Sequence, residues 1–171
     1  MTDWDAIVAS EGPLVWRTLW RLLAQREDVE ECFQETFLAA WLLSRREAVE
    51  CWPAVLCSLA TARAMDRLRL RYRRGDSRQN GVDGSADRRL AEETSTDAGP
   101  VEHAVARELS ERLREAMAQL PEKQAEVFFL HALCGWSHRE VGQRMEMTEN
   151  AVGVTIHRVR QRLRELLGDG Q

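Results

Sequence analysis

Two groups of arginines have the residue type and spacing to bind phosphate. Residues 63–78 carry seven arginines and two acidic residues, and within 158–164 every second residue is an arginine and none is acidic. A guanidinium group matches phosphate oxygens in a two-pronged geometry, so these groups predict a polyanionic partner such as nucleic acid. The alternative interpretation is a solvated helix end, which the density of arginines disfavours.

A second constellation has metal-ligand residue types. His131, Cys134 and His138 lie at a spacing that zinc sites use, but they supply three ligands where a closed structural site needs four. We therefore predict no metal and no cofactor, and the sequence leaves open whether these three side chains ever bind a metal. Cys51 and Cys57 are expected to be core thiols rather than a redox pair.

An enzyme is the function class that the sequence supports least. The chain contains no glycine-rich phosphate loop, no His-Glu-x-x-His motif and no set of nucleophile, base and acid at a convincing spacing. We therefore predict a binding protein.

The charge balance argues against nucleic acid until it is divided along the chain. The 171 residues carry a formal net charge of -4 and the pI is near 5.7. That average hides a net +5 over 63–78, which lies between acidic segments of -5 (1–62) and -4 (79–106). The acidic total therefore does not exclude a DNA partner.

The amino terminus and the hydropathy pattern indicate where the protein works. No window approaches eighteen consecutive apolar residues, and the acidic start lacks the basic segment of a signal peptide. We expect no membrane insertion and a cytoplasmic location, where the four cysteines stay reduced.

The chain reads as two all-α domains joined by a flexible linker. Residues 75–100 are rich in Gly, Ser, Asp and Thr and nearly free of large apolar side chains, whereas the flanking segments have helical periodicity. The predicted boundaries are a helical bundle over 1–75, an acidic linker over 76–104 and a helix-turn-helix domain over 105–168.

Three helices are predicted in the first domain. One begins near Pro13, and a second begins at Asp28, where Asp-x-x-Glu resembles a capping arrangement. A third has Pro53 in its first turn and runs into the arginines. The apolar stripe of the second helix consists of Val29, Cys32, Phe33, Phe37, Ala40 and Trp41.

The second domain ends in a pattern typical of a helix-turn-helix. A periodic helix carries Val105, Leu109, Leu113, Met117 and Leu120, and another follows Pro121 with Val127, Phe128 and Leu130 as its buried set. Ser137 with Glu140 forms a capping box that opens a short helix, and Thr148 caps a long last helix. A short helix, a tight turn and a longer helix with an arginine-bearing face are the pattern of a helix-turn-helix.

Together these motifs resemble bacterial RNA polymerase sigma factors of the extracytoplasmic-function type, which consist of sigma region 2 and region 4. DVEECFQETFLAAW (28–41) is similar to the helix by which region 2 docks on the polymerase core. The resemblance assigns to this docking face Asp28, Glu31, Gln34, Glu35, Thr36, Phe37 and Trp41.

LATARAMDRLRLRYRR (59–74) resembles the segment that reads and opens the minus-10 element. The resemblance assigns to this contact Trp52, Ala62, Arg63, Asp66, Arg67, Arg69, Arg71, Arg73 and Arg74. Ala62 departs from the family, in which many members carry an asparagine, and Trp52 and the loop 44–51 are candidates to supply the missing base contacts.

Residues 120–166 resemble region 4, whose recognition helix enters the major groove of the minus-35 element. The resemblance assigns to this interface Ser137, Arg139, Thr148, Asn150, Ala151, Gly153, Val154, His157, Arg158, Arg160 and Arg162. Gly153 stands where many members have a basic or polar residue, which leaves open the DNA sequence that is read.

The resemblance implies a dissociable initiation factor that binds RNA polymerase core and directs it to promoters. Its expected partners are the clamp helices and the flap of the large polymerase subunits, promoter DNA and an anti-sigma factor, and the free factor is expected to be a monomer. The alternatives are a stand-alone helix-turn-helix regulator, which predicts a dimer that binds a palindrome without polymerase, and a protein-binding adaptor, which predicts no DNA contact.

Overall fold

The computed structural model describes residues 2–74 and 100–168, excepting the side chains of 100–104. This part of the chain forms seven α-helices and no strand. The helices are α1 (Trp4–Leu22), α2 (Arg26–Ser44), α3 (Trp52–Arg74), α4 (Pro100–Ala118), α5 (Glu122–Ala132), α6 (His138–Met145) and α7 (Glu149–Gly168). The all-α prediction is therefore confirmed for the described residues.

The chain divides into two compact units, with the boundary inside α3. Among the described residues, the first unit contains 2–67 and the second contains 68–74 and 100–168. Most of the predicted linker lies outside the described residues. Its last part, however, is helical, because α4 begins at Pro100.

The first unit is held together by an apolar core that all three of its helices share. The fully buried side chains include Val15 and Leu19 of α1, Val29 of α2 and Leu56 of α3. An aromatic chain runs along one side of this core, since the ring of Trp16 lies 5.5 Å from that of Phe33 and the ring of Phe33 lies 4.9 Å from that of Phe37. Aromatic pairs at these distances add stabilisation beyond their buried area.

Two helix starts in this unit differ from the sequence prediction. The first helix begins at Trp4, capped by the Asp3 carboxylate that accepts from the backbone N–H of Ala6, and Pro13 lies inside it. The second helix begins at Arg26, so Asp28 belongs to its first turn and is not its N-cap. Periodicity located both helices but not their ends, since a proline within a long helix is tolerated when tertiary packing offsets the lost hydrogen bond.

The buried stripe of α2 also differs from the predicted one. Thr36 takes the place that was predicted for the aromatic residues, and its hydroxyl donates to the carbonyl of Cys32 at 2.7 Å. Phe37 is half-buried, and Trp41 is 40% exposed. The buried stripe therefore covers a narrower arc of the helix surface than the apolar residues alone suggested, and Trp41 belongs to the surface.

The second unit is a bundle in which α7 contacts α4, α5 and α6. Its buried residues include Ala116, Met117, Leu120, Ala125, Val127, Phe129, Leu130, Val141, Val152, Ile156, Val159 and Leu163. A guanidinium N–H of Arg112 on α4 donates to the carbonyl of Leu167 at 2.9 Å, which satisfies one of the unpaired carbonyls at the end of α7.

Two expectations about the second core are corrected. Phe129, and not Phe128, is fully buried on α5, because the inward direction of that helix is set by its contacts with α6 and α7. The apolar stripe of α4 is buried only at its carboxyl end, while Val105, Leu109 and Leu113 are exposed. None of the described helices is long and apolar enough to span a membrane.

Candidate nucleic-acid and protein-binding surfaces

The helix-turn-helix begins with a complete capping box at Ser137. The backbone N–H and the hydroxyl of Ser137 donate to the Glu140 carboxylate at 2.7 and 2.6 Å, and the N–H of Glu140 donates to the Ser137 hydroxyl at 3.3 Å. The Ser137 side-chain bond, followed by the backbone bond, lowers the pKa of Glu140. This predicted cap is confirmed, and it fixes the start of α6.

A close backbone approach makes the turn between α6 and α7. Glu146 adopts the left-handed conformation at φ 54°, and the N–H of Met147 donates to the carbonyl of Gly142 at 2.8 Å. A Cβ atom at position 142 would lie 2.6 Å from the carbonyl oxygen of Met147, so only glycine fits there. The two helices are therefore locked at a fixed angle by backbone contact.

The outward face of α7 is polar at its centre. Val152, Ile156, Val159 and Leu163 face the core, and the opposite side is exposed. The exposed residues nearest the middle of that side are Asn150, Val154, His157, Arg158, Gln161 and Glu165. Four of them, Asn150, Val154, His157 and Arg158, are among the residues that the family resemblance assigned to this interface.

Exposed arginines lie along the two flanks of the same face. Arg160 and Arg162 are separated by about 200° around the helix axis, so one lies on each side of the central residues. The guanidinium group of Arg162 is 3.3 Å from the carboxylate of Glu165. Both groups are more than half exposed, so this surface ion pair is weak and leaves the arginine available to a stronger anion.

Two residues that were assigned to DNA act as helix caps in this structure. The Ser137 side chain is engaged by Glu140, and the Thr148 hydroxyl accepts from the N–H of Ala151 at 3.2 Å. Ala151 is half-buried, whereas Arg139 is exposed. Ser137 and Thr148 therefore fix the starts of α6 and α7, and exposed residues such as Arg139 form the surface that a partner can contact.

Gly153 on α7 is covered by the imidazole of His138. The nearest ring atoms are 3.6 Å from the position of a Cβ atom on residue 153. The outward face therefore has a local gap in α7 side chains, which His138 of α6 fills.

The three metal-ligand residue types do not converge on one point. The rings of His131 and His138 lie 4.9 Å apart, and Nδ1 of His131 is 2.7 Å from the carbonyl oxygen of Trp136. Because a carbonyl only accepts, this contact places a proton on Nδ1. Within residues 2–74 and 100–168, no group of three His, Cys, Asp or Glu side chains is arranged to hold a metal ion.

The arginines of α3 fall into two classes. Arg73 and Arg74 are exposed at the end of the helix, whereas Arg63 is half-buried. Asp66, which lies between Arg63 and Arg73 in the helix, is also exposed. Trp52, at the start of α3, stacks edge-on against Trp4 with ring centres 5.0 Å apart. Ala62 is half-buried and presents only a methyl group.

Arg67 is paired with two carboxylates of α2. Its Nε atom lies 3.7 Å from Asp28, and one terminal nitrogen lies 2.5 Å from Glu31. The hydrogen bond to Glu31 raises the pKa of Arg67. A residue assigned to DNA and two residues assigned to polymerase docking therefore form one cluster.

Arg69 and Arg71 are engaged within the second unit. A terminal nitrogen of Arg69 donates to the carbonyl of Leu120 at 3.2 Å, and a terminal nitrogen of Arg71 lies 3.7 Å from the carboxylate of Glu111. The Tyr72 hydroxyl donates to the same carboxylate at 2.8 Å, and burial together with this bond raises the pKa of Tyr72. These contacts order the end of α3, and Arg73 and Arg74 remain the exposed arginines there.

The outer face of α2 combines polar and apolar exposed side chains. Gln34 and Glu35 are exposed, and beside them Leu38 is 58% exposed. One turn further along the helix, Trp41 lies under the guanidinium group of Arg45 at 5.1 Å from the ring centre. Thr36, which was assigned to this face, is fully buried and does not contribute to it.

Leu38, Leu42 and Arg45 were missed by the sequence prediction. Leu38 and Leu42 are both exposed and lie one turn apart, next to Trp41 on the helix surface. The signal that could have found them is an apolar pair out of phase with the buried stripe of Val29, Cys32 and Ala40. Contiguous exposed apolar side chains mark an interaction surface.

Comparison with known proteins identifies the family of both units. Residues 7–74 match the family model described as sigma-70 region 2, and residues 110–163 match the one described as sigma-70, region 4. Together the two models cover most of the described chain.

Among curated proteins, the chain is 28% identical over 167 residues to the ECF RNA polymerase sigma factor SigE of Mycolicibacterium smegmatis, covering 98% of this chain and 62% of that protein. It is 29% identical over 166 residues to the RNA polymerase sigma factor CarQ of Myxococcus xanthus, covering 96% of this chain and 89% of CarQ. A 76-residue stretch is 37% identical to the ECF RNA polymerase sigma factor SigD of Mycobacterium tuberculosis, covering 44% of this chain and 36% of SigD. The chain thus spans less than two thirds of the length of SigE and of SigD.

Among solved structures, the fold is similar to that of the sigma factor RpoE of Bartonella quintana, determined in complex with the anti-sigma factor NepR. The TM-score is 0.56 at 18% sequence identity, and the match covers 100% of both chains. At this identity the likeness concerns the fold.

Proposed function

Because the chain belongs to the sigma-70 family of RNA polymerase sigma factors, in its ECF subfamily, we propose that it binds RNA polymerase core and directs it to promoters. The observation that carries this proposal is the exposed face of α7, with polar side chains at its centre and arginines on both flanks. A helix of that design fits the major groove, where central side chains read bases and flanking cations contact phosphates.

The minus-35 element is the proposed target of the second unit. Asn150 and Gln161 carry amides that can form paired hydrogen bonds with an adenine edge, and Arg158 matches the two acceptors of guanine. Arg160 and Arg162 are proposed to contact the phosphates on either side of the groove. Arg139, exposed on α6, adds a cation beside them.

The minus-10 element is the proposed target of α3 and the residues near its start. Arg63, Arg73 and Arg74 are the proposed phosphate contacts, and Trp52 is the proposed stacking platform for an unstacked base. Arg69 and Arg71 make contacts within the second unit, so they contribute to DNA binding only where those contacts open.

The outer face of α2 is the proposed docking surface for the polymerase core. Gln34, Glu35, Leu38 and Trp41 offer polar and apolar contacts on one exposed helix face, which is the composition of a protein interface with a buried centre and a polar rim. The proposed acceptors are the clamp helices for this unit and the flap of the large subunits for the second unit.

Two weak DNA-binding units gain affinity when one partner fixes them together. Each unit bears a modest basic surface on a chain of net charge -4, so free factor is expected to bind promoter DNA poorly. Attachment to core polymerase raises the effective concentration of each unit at its own element. The chain itself needs no catalysis, metal or cofactor for this role, and it acts where the polymerase is, in the cytoplasm.

An anti-sigma factor is a further proposed partner. Support comes from the RpoE structure of similar fold, which was determined with the anti-sigma factor NepR. Sequestration of a factor that is expected to be a monomer when free would prevent its access to the polymerase.

The test is transcription in vitro with the full chain, purified core polymerase and a library of genomic promoters. We expect the chain to copurify with core and to start transcription at a defined subset of promoters. Absence of both core binding and promoter-specific initiation would contradict the proposal. Tight binding to a palindrome without polymerase would favour a stand-alone regulator instead.

A further inference from the structure

The cluster of Arg67, Asp28 and Glu31 joins the two helices to which the proposed function gives different partners. Asp28 and Glu31 lie three residues apart on α2, so both carboxylates face the same way. The Arg67 guanidinium on α3 reaches both, at 3.7 and 2.5 Å. Burial raises the pKa of the thiol of Cys32, the next residue on α2, and this thiol is near enough to the cluster that the Arg67 charge lowers its pKa by a smaller amount.

Burial makes this arrangement costly to open. The side chains of Arg67 and Asp28 are 23% and 16% exposed, whereas that of Glu31 is 55% exposed. Withdrawing the guanidinium would remove a cationic partner from the Asp28 carboxylate, which is largely shielded from water, and loss of such a partner is unfavourable. Arg67 is therefore held on α2.

The local charge disfavours DNA at this point. One cation and two carboxylates give the cluster a net charge of -1, so an approaching phosphate meets repulsion from groups within 4 Å of the guanidinium. Within residues 2–74 and 100–168, the exposed Arg73 and Arg74 are not paired with two carboxylates in this way.

We propose that Arg67 is a positioning residue, which sets α3 against α2 and thereby couples polymerase docking to promoter opening, and that it does not contact DNA phosphate. This inference rests on the proposed function. It removes Arg67 from the DNA-contact set that the family resemblance suggested. It also gives Glu31 a part in promoter opening, although Glu31 lies on the polymerase-facing helix.

The salt dependence of promoter binding separates positioning from phosphate contact. For holoenzyme made from core and the full chain, the logarithm of the binding constant falls with the logarithm of the salt concentration by about 0.9 for each phosphate neutralised. We expect Arg67→Gln to leave this slope unchanged and Arg73→Gln, the matched control on the same helix, to lower it by about one. A slope lowered by about one in Arg67→Gln would overturn the inference.

Replacement of Arg67 by lysine gives a second comparison, in which the positive charge is kept and only the shape of the side chain changes. A lysine keeps the charge for a phosphate but loses the fork that spans two carboxylates. We therefore expect Arg67→Lys to slow promoter opening as Arg67→Gln does. Opening at the unaltered rate in Arg67→Lys would count against the proposal.

A double-variant cycle tests the coupling itself. Promoter opening is measured with Arg67→Gln, Glu31→Gln and the double variant, at a temperature where thermal unfolding shows each to be fully folded. We expect each single change to slow opening roughly fivefold to tenfold and the double change to slow it little further, because both remove one interaction. Unchanged opening would indicate a merely stabilising pair, and effects that multiply would indicate independent roles, so either result overturns the inference. If the unaltered chain fails to bind core or to start transcription, the proposed function fails. That outcome is separate from a failure of the coupling, which the double-variant cycle measures.

Discussion

Gly142 and Met147 are joined by a backbone hydrogen bond of 2.8 Å across the turn of the helix-turn-helix. The carbonyl oxygen of Met147 also lies close to residue 142, since a Cβ atom on that residue would be only 2.6 Å from this oxygen. Two backbones in direct contact allow no side chain between them. The angle between α6 and α7 therefore depends on residue 142 having no Cβ atom.

Gly142→Ala is expected to destabilise the second unit. The added methyl group would push against backbone atoms, which cannot rotate away, so we expect a loss of about 1–3 kcal/mol in the free energy of unfolding. Urea unfolding followed by circular dichroism measures it. An unchanged free energy of unfolding would show that the turn accommodates the added methyl group, which would contradict the prediction.

Gly153→Ala is the matched control on the neighbouring helix. Its added methyl group would lie 3.6 Å from the His138 ring, an ordinary contact distance. Alanine is a better helix former than glycine, so we expect a gain of up to about 1 kcal/mol. Equal losses in both glycine variants would contradict the assignment of the close approach to position 142.

Replacement of Ser137 by alanine tests the cap of α6 and its pH dependence. We expect a loss of about 1 kcal/mol in stability, as for other N-cap serines. Hydrogen bonds from Ser137 lower the pKa of Glu140 from its ordinary value of 4.5, so the stabilisation is fully present above that pH. It is lost as the pH falls through the lower folded-state pKa.

The measurement for this pH dependence is an NMR titration of the Glu140 carboxyl carbon. The unaltered chain should titrate below pH 4.5, and Ser137→Ala should move the midpoint back up. A midpoint that does not respond to the substitution would contradict the role of Ser137.

The thiols are expected to react at very different rates. Cys51 is exposed, although the sequence predicted a core position, and Cys32 is buried. Burial raises the pKa of Cys32 to about 11, so at pH 8 only about one molecule in a thousand carries its thiolate.

Labelling with a thiol reagent, followed by mass spectrometry, checks this order. We expect Cys51 to be modified first in the folded chain and Cys32 to react only on unfolding. Cys51→Ser is the control that should abolish the fast phase. Rapid labelling of Cys32 in the folded chain would contradict its burial.

Leu38→Ala and Trp41→Ala test the outer face of α2. Leu38 is 58% exposed, so its truncation should change stability by no more than about 0.5 kcal/mol. Affinity for core polymerase should fall about tenfold or more if this face is buried in the complex. Fluorescence anisotropy with labelled chain measures both variants.

Val8→Ala is the control for these two variants. Val8 is also exposed and apolar, but it lies on α1, outside the proposed docking surface. We expect it to leave core affinity unchanged. A similar loss in all three variants would show that the assay reports folding and not docking.

The sequence was sufficient for features that depend on neighbours along the chain. The four buried residues of α7 follow from helical spacing, and the Ser137 cap follows from Ser-x-x-Glu, because both patterns act within one or two turns. The three family motifs and the all-α class come from the same local information. Helix ends were less predictable, as Pro13 shows, because packing decides how far a helix extends.

The tertiary structure decided what each charged residue of these motifs contacts. Arg67, Arg69 and Arg71 look alike in the sequence, yet Arg67 pairs with Asp28 and Glu31, and the other two contact residues that lie forty or more positions further along the chain. Likewise, Thr36 is buried while Leu38 and Trp41 are exposed, because the direction in which α2 faces the core depends on α1 and α3. The sequence by itself thus determined the helices, the two caps of the helix-turn-helix and the family. Only the fold could determine which arginines are neutralised, since an ion pair depends on distances of a few ångströms between residues far apart in sequence.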